Sequence, residues 1–136
     1  MVLDKLSAKY FESDGRPEVL ERGKYHGYDY YICFSHICPT AYVKLAANNR
    51  FYGNDFLELD KLVGYRPHGC YTYSDYKLGY EKLAKEEGWF IGWDYGHAED
   101  CFRGNLRGGK MWTMDEIRTE CRRVIDSIIE KNSRHH

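Results

Sequence analysis

The sequence predicts an α+β protein: a small, mainly antiparallel sheet of about four strands with one long C-terminal helix packed on one face. Two observations predict this class. Aromatic and aliphatic residues alternate with period two in several short segments, which is typical of half-buried strands. The last part of the chain instead repeats apolar residues at helical spacing after a capping box, so it predicts an amphipathic helix.

Residues 1–24 are predicted to be an N-terminal extension with weak helix and turn signals. Pro17 suits the first turn of a short helix that ends near Gly23. Residues 25–131 are predicted to form a single α+β domain, because a chain of this length can bury one core. Residues 132–136 are expected to be a disordered tail, and the closing RHH resembles the start of a purification tag.

Two strands joined by a turn open the predicted domain. Residues 25–35 alternate between two faces, with Ile32 on one face and Tyr31 on the other. The stretch TAYVKL, residues 40–45, alternates again after ICP interrupts the pattern. These segments predict an antiparallel hairpin, and NDFLELDKLVG after it is compatible with a helical turn or two before Gly64.

Two further strands are predicted at residues 65–74 and 89–94. Pro67 places the first of them at a sheet edge or a strand start, because proline cannot donate to a ladder of hydrogen bonds. Between the two strands, DYKLGYEKLAKEEG is compatible with a helix that Ser74 caps and Gly88 ends.

The terminal helix is the clearest element of the chain. Thr113 and Glu116 form a capping box, in which each side chain can satisfy a free backbone N–H of the first turn. Its apolar stripe, which we expect to face the sheet, consists of Met114, Ile117, Cys121, Val124 and Ile128.

Composition argues against several broad classes of function. The formal net charge of −1, with 30% charged residues, lacks the electrostatic footprint of a general nucleic-acid binder. No apolar run approaches the roughly 20 residues that cross a bilayer, and the N-terminus lacks the regions of a signal peptide. We therefore expect a cytoplasmic protein without membrane binding. Its five cysteines form no CxxC pair and are expected to stay reduced.

Tyrosine is unusually frequent, with 13 tyrosines against 6 phenylalanines. The tyrosines cluster in residues 25–31 and 71–80. Half-buried tyrosines suit a protein interface, including one in a homo-oligomer, or a pocket for a flat polar ligand. A thin core closed by amphipathic rings would have the same composition, so the pattern leaves these alternatives open.

Ionisable residues follow the last predicted strand, in GWFIGWDYGHAEDC. If the predicted strands at residues 65–74 and 89–94 are neighbours in the sheet, the side chains of His68, Asp94, His97 and Asp100 lie together in one pocket. Such a set offers ligands for a divalent metal such as zinc or manganese, which would make the protein a metal-dependent hydrolase. The same residues, with the hydroxyl of Thr72 or Tyr73, are also typical of a structural network that needs no ligand.

A third interpretation is a pocket that binds a ligand, catalyses no reaction and holds no cofactor. Aromatic faces, hydrogen-bonding side chains and the cationic stretch RGNLRGGK would suit a small anionic, nucleotide-like ligand. Non-enzymatic binding of such a ligand or of a protein is the function we predict, with the metal-dependent hydrolase as the alternative. The predicted ligand-binding residues are His68, Gly69, Thr72, Tyr73, Ser74, Trp93, Asp94, His97, Asp100, Arg103 and Arg107.

Three stretches in order, TAYVKLAANNRFYGNDF, PHGCYTYS and GWFIGWDYGHAEDC, resemble a family of small, uncharacterised phage and bacterial proteins. Members of that family typically read GYV-x-VP-x-GHP-x-YG, VHGG-x-TY and WW-x-GFD-x-AHAGD. The resemblance covers residues 26–130, and departs from the family where ANN replaces GHP, which removes a histidine near position 48. It implies a phage-related protein that sequesters a host ligand or a host defence protein in the host cytoplasm. The family's polar hallmarks map to His68, Gly69, Thr72, Tyr73, Asp94, His97 and Asp100.

Overall fold

A computed structural model describes residues 4–11, 16–102, 106 and 109–133. Its elements are, in chain order, α1 (Lys5–Lys9), β1 (Glu18–Tyr25), β2 (Tyr28–Phe34), β3 (Pro39–Leu45), α2 (Phe56–Leu62), β4 (Tyr73–Asp75), β5 (Trp89–Asp94) and α3 (Met114–Ser133). Two short 3-10 turns lie at Pro67–Gly69 and Glu81–Leu83.

Within the described residues, five strands form one sheet in the order β1-β2-β3-β5-β4, and every neighbouring pair is antiparallel. The predicted α+β class, with its antiparallel sheet and long C-terminal helix, is confirmed. The sheet has five strands where about four were predicted. Since β5 lies between β3 and β4, the end of β5 is brought next to the chain that leads into β4.

The helix predicted between Pro17 and Gly23 is wrong, because Glu18–Tyr25 is strand β1 and pairs with β2 along its length. A bulge near Val19 shifts the register and breaks the period-two pattern that identifies a strand in a sequence. The β1–β2 turn consists of His26 and Gly27, both in the left-handed region that a tight hairpin turn of type I′ requires. The predicted domain boundary at residue 25 therefore falls inside a strand.

Two other predicted elements are also wrong. Within residues 65–74, only the last two belong to β4, and Pro67–Gly69 is a 3-10 turn. Between Ser74 and Gly88 the structure has the turn Glu81–Leu83 in place of a helix. In this second segment the sheet is contacted by Leu78, Tyr80 and Leu83, whose spacings of two and three residues are not those of a helix face. The segment therefore crosses the sheet as an irregular loop.

The sheet separates two apolar layers of unequal size. Helix α3 packs against β2 and β3 and buries its predicted stripe completely. The capping box is confirmed, since Thr113 N and Oγ1 donate to Glu116 Oε1 and Glu116 N donates back to Thr113 Oγ1. The opposite layer is smaller and comprises Tyr31, Cys33, Tyr42, Leu78, Tyr80, Leu83 and Phe90. In the part of the chain that the structure describes, no helix has both the length and the apolarity to cross a membrane.

Candidate functional site

The candidate site lies at the end of β5, where two separate parts of the chain meet. Asp94 is the last residue of β5 and pairs with Thr40 of β3. The chain then turns, and His97 follows. His68 comes from the 3-10 turn before β4, with a left-handed backbone of φ 44° and ψ 45°. Because β4 and β5 are neighbours, as predicted, the two histidines come into contact.

The imidazole of His68 is held in a stack of rings. Tyr95 stacks on it with ring centroids 4.5 Å apart, and His97 stacks on it at 4.8 Å. Two rings at these distances cannot lie side by side on one face of an imidazole, so they occupy opposite faces. The edge of the Trp112 indole closes a third side, at 4.9 Å. These contacts fix the orientation of the His68 ring.

Asp100 is the buried anion of the site, with a residue exposure of 1%. Its carboxylate accepts hydrogen bonds from His68 Nε2 at 2.7 Å, from the backbone N–H of His97 at 2.9 Å and from Trp112 Nε1 at 2.9 Å. Burial raises the pKa of Asp100, but these hydrogen bonds outweigh burial and hold its pKa below the ordinary value. The carboxylate is therefore ionised at neutral pH, and the proton of the shared bond lies on His68 Nε2.

His97 lies between two carboxylates. Its Nδ1 is 3.9 Å from Asp100 Oδ2, and its Nε2 is 3.8 Å from Asp94 Oδ1. The side chains of His97 and Asp94 are 34% and 35% exposed, so this half of the site faces solvent. Asp94 is held in place by the Thr72 hydroxyl, which donates at 3.1 Å, and by the backbone N–H of Gly96, also at 3.1 Å.

Backbone contacts from beyond the site clamp Asp100. Cys101 N donates to Lys110 O at 2.8 Å, and Lys110 N donates to Glu99 O at 3.0 Å. A β-carbon at Gly109 would overlap the backbone of Asp100, so only glycine fits there. The Lys110 ammonium lies 4.0 Å from the centroid of the Trp112 ring, which in turn contacts Asp100.

Three side chains of the site can offer one metal ligand each. Ligand atoms of His68, His97 and Asp100 all lie within 4.8 Å of one another. Ligands on one zinc ion lie roughly 3–3.5 Å apart, because each bond to zinc is about 2.0–2.2 Å long. The His68–Asp100 distance of 2.7 Å is a direct hydrogen bond, which an ion would have to replace. The His97 ring is parallel to that of His68, so this exposed side chain would have to turn to share the ion. Asp94, which belongs to the predicted metal set, lies outside this group of three.

The structure brings six of the predicted ligand-binding residues together. Besides the two histidines and two aspartates, Thr72 contacts Asp94, and Gly69 lies beside His97, where an added β-carbon would be 3.8 Å from His97 Cε1. Gly69 has a φ of 98°, which glycine adopts without strain.

Three other predicted residues serve the fold instead. The Tyr73 hydroxyl donates to Lys77 O, and its ring packs on Tyr42 on the opposite side of the sheet. Ser74 Oγ accepts from the backbone N–H at the start of α2. Trp93 is buried in the main core and donates to the hydroxyl of Tyr95. The remaining two, Arg103 and Arg107, lie outside the described residues.

Tyr95 and Trp112 belong to the site although the sequence did not identify them. Tyr95 follows Asp94 directly, within GWFIGWDYGHAEDC, so its position in the sequence could have identified it as part of the site. Trp112 lies in the segment before α3, and no local pattern connects it to Asp100. Cys101 is a poor nucleophile, because burial raises the pKa of its thiol and leaves it 1% exposed.

Comparison of the sequence with models of known protein families, with curated proteins and with solved structures finds no match. The resemblance to a phage and bacterial family therefore stays a prediction from the motifs.

Proposed function

We propose that this protein is a metal-dependent hydrolase that binds a divalent ion such as zinc or manganese between His68, His97 and Asp100. One observation carries the proposal: ligand atoms of these three side chains lie within 4.8 Å of one another. Imidazole nitrogens and a carboxylate oxygen are ligands that zinc, manganese and iron accept. Sites with three protein ligands keep a position for water, whose pKa the ion lowers to about 7 in zinc hydrolases.

The division of the site into a rigid half and an exposed half supports this function. His68 and Asp100 are held by rings and hydrogen bonds, which fixes the positions of two candidate ligands. His97 is 34% exposed, so an ion and its water would be reachable from solvent. An ion bound through His68 Nε2 would replace the hydrogen bond between that nitrogen and Asp100.

A purely structural network is the main alternative explanation of the site. Such a network gains most when its members are buried and every donor is paired. Asp100 meets that description, but His97 and Asp94 are each about one-third exposed and face each other at 3.8 Å, beyond hydrogen-bond distance. This loose, open half is expected of a site that tightens around a ligand.

The predicted pocket for a small anionic ligand has less support at this site. Two cavities of about 300 Å³ lie elsewhere: one is lined by Lys9 and Lys82, among others, and the other by Tyr28 and Asn49. The arginines predicted to bind an anion belong to the undescribed part of the chain.

Calorimetry and an activity assay together test the proposed function. The protein, purified without chelator and without nickel resin, is titrated with zinc and with manganese, and its hydrolysis of bis(p-nitrophenyl) phosphate is measured with and without the ion. We expect binding of a single ion and metal-dependent hydrolysis, both lost in His97→Ala. The control His26→Asn changes a histidine in the β1–β2 turn and should retain both. Absence of binding by the wild type, or binding unchanged in His97→Ala, would overturn the proposal.

An aromatic cluster that exposes the ring of one tyrosine favours a second candidate function, non-enzymatic binding of a protein partner. Tyr76 is 51% exposed and lies edge-on to Trp89, with ring centroids 4.7 Å apart, and Tyr52 adjoins both rings. Exposed aromatic rings of this kind are enriched at protein interfaces. A second copy of the chain is the simplest partner, so sedimentation velocity of the wild type and Tyr76→Ser tests it. A dimer that the substitution dissociates would support this function, and a monomer at every concentration would exclude self-association through the cluster.

A further inference from the structure

We infer that Asp94 is a positioning residue, which fixes the tautomer of His97 so that Nδ1 of His97 binds the metal ion. This inference rests on the proposed metal site. It follows from the placement of the His97 ring between two carboxylates. Nδ1 is the ring nitrogen closer to Asp100, at 3.9 Å from Oδ2, and Nε2 is the one closer to Asp94, at 3.8 Å from Oδ1.

The chemistry of imidazole gives each nitrogen a different task. A neutral imidazole has one N–H and one lone pair, and a metal ion takes the lone pair. In protein metal sites the remaining N–H usually donates to a carboxylate or a carbonyl, which orients the ring. Nδ1 of His97 is the nitrogen nearer to Asp100, so an ion bound there would leave the proton on Nε2, and Asp94 is the carboxylate nearest to that nitrogen.

Metal binding requires the His97 ring to move, because an imidazole lone pair lies in the ring plane and this ring is parallel to that of His68. An N–H···O hydrogen bond is about 2.7–3.2 Å long, so Nε2 and Asp94 Oδ1 must approach by roughly 0.6 Å or more. Both side chains are about one-third exposed, so the neighbouring structure leaves them room for this movement.

Asp94 is itself oriented for the role. The Thr72 hydroxyl donates to one carboxylate oxygen and the backbone N–H of Gly96 donates to the other, each at 3.1 Å. A carboxylate oxygen has two acceptor sites, so Oδ1 can still accept from His97 after accepting from Gly96. Asp94 also lies at the end of β5, where pairing with Thr40 fixes the position of its backbone. Asp94 was predicted as a ligand, and this geometry gives it a supporting role instead.

Zinc affinity in a graded set of variants tests the inference. We expect Asp94→Ala to weaken zinc binding by about 10–100-fold, as loss of a supporting carboxylate does in other metal sites. Asp94→Asn should lose less, because its amide oxygen still accepts a hydrogen bond. Glu99→Gln, which removes a neighbouring exposed carboxylate, should bind zinc like the wild type. Unfolding curves of the four proteins separate loss of fold from loss of affinity.

Nitrogen NMR of protein with isotope-labelled histidine shows directly which ring nitrogen of His97 carries the proton. In the zinc-loaded wild type we expect the His97 resonances of a metal-bound Nδ1 and a protonated Nε2, and in Asp94→Ala a mixture of forms. Zinc bound through Nε2 in the wild type, or an affinity of Asp94→Ala equal to that of Glu99→Gln, would overturn the inference and leave the metal site standing. A wild type that binds no zinc would overturn the proposed function as well.

Discussion

The imidazole rings of His68 and His97 lie parallel, with an angle of 5° between their planes and 4.8 Å between their centroids. The two rings nevertheless have different surroundings. The His68 side chain is 14% exposed and also contacts Tyr95 and Trp112, whereas that of His97 is 34% exposed. The pair therefore combines a histidine that the fold depends on with one that remains available for binding.

This difference predicts unequal effects of the same substitution. His68→Ala removes a stacked ring and one donor to a buried carboxylate, so it should lower the free energy of unfolding by about 2–3 kcal/mol. His97→Ala should cost less than about 1 kcal/mol, because the ring is exposed and the backbone N–H that Asp100 needs remains. Urea denaturation of both variants checks this. Equal losses would mean that His97 is also part of the folding core.

Gly109 provides a second test, of the backbone clamp on Asp100. Gly109→Ala should destabilise the protein by roughly 1–3 kcal/mol and weaken metal binding, because its β-carbon would overlap the backbone of Asp100. Gly79→Ala is the matched control, since no atom lies within 4 Å of the added carbon, and its effect should stay near zero or be stabilising by about 0.4–1 kcal/mol. Thermal unfolding measures both. Similar melting temperatures for the two variants would show that the clamp is absent.

The ionised state of Asp100 predicts a pH dependence of stability. Its folded pKa lies below the ordinary value of 3.8, so its contribution is fully present above that pH and is lost as the pH falls through the folded pKa. At pH 7, Asp100→Asn should cost about 3 kcal/mol, because a buried anion with three donors is replaced. The difference from the wild type should shrink as the pH falls below 3.8. Chemical denaturation across this range checks it, and a constant difference would contradict the assignment.

Much of the fold could be predicted from local patterns. The central strands and α3 were recognisable because β2, β3 and β5 are mostly apolar segments that pair with one another without a bulge, and α3 carries a capped apolar stripe. Strand β1 was missed because its bulge interrupts the alternation, and because His26–Gly27 is not among the common hairpin-turn pairs.

The core of the candidate site was also predictable, and its boundaries were not. His68 and His97 were expected to meet if two strands were adjacent, and they do. The predicted third strand is wrong at Pro67–Gly69, where the left-handed backbone of His68 places its imidazole against Tyr95. Contacts such as Trp112 with Asp100 arise from tertiary packing, and a single sequence carries no signal for them.

The correction at β1 leads to a prediction about its attachment to α3. Arg118 donates to both carboxylate oxygens of Glu21, at 2.8 and 2.6 Å, in a half-buried pair. Glu21→Gln should therefore cost about 1–2 kcal/mol, after allowance for partial exposure. Lys24→Ala, which breaks a longer pair between the exposed Lys24 of β1 and Asp29 of β2, should cost less than about 0.5 kcal/mol. Denaturant titration compares the two, and an equal, small cost would show that the Glu21 pair does not tether β1 to the helix.

A crystal grown with zinc, with anomalous diffraction measured at the zinc absorption edge, tests the metal site most directly. We predict a single strong anomalous peak about 2.0–2.2 Å from one nitrogen each of His68 and His97 and from a carboxylate oxygen of Asp100. A map without a peak there, in which His68 and Asp100 keep their direct hydrogen bond in the presence of zinc, would contradict the metal site and leave the cluster with a structural role.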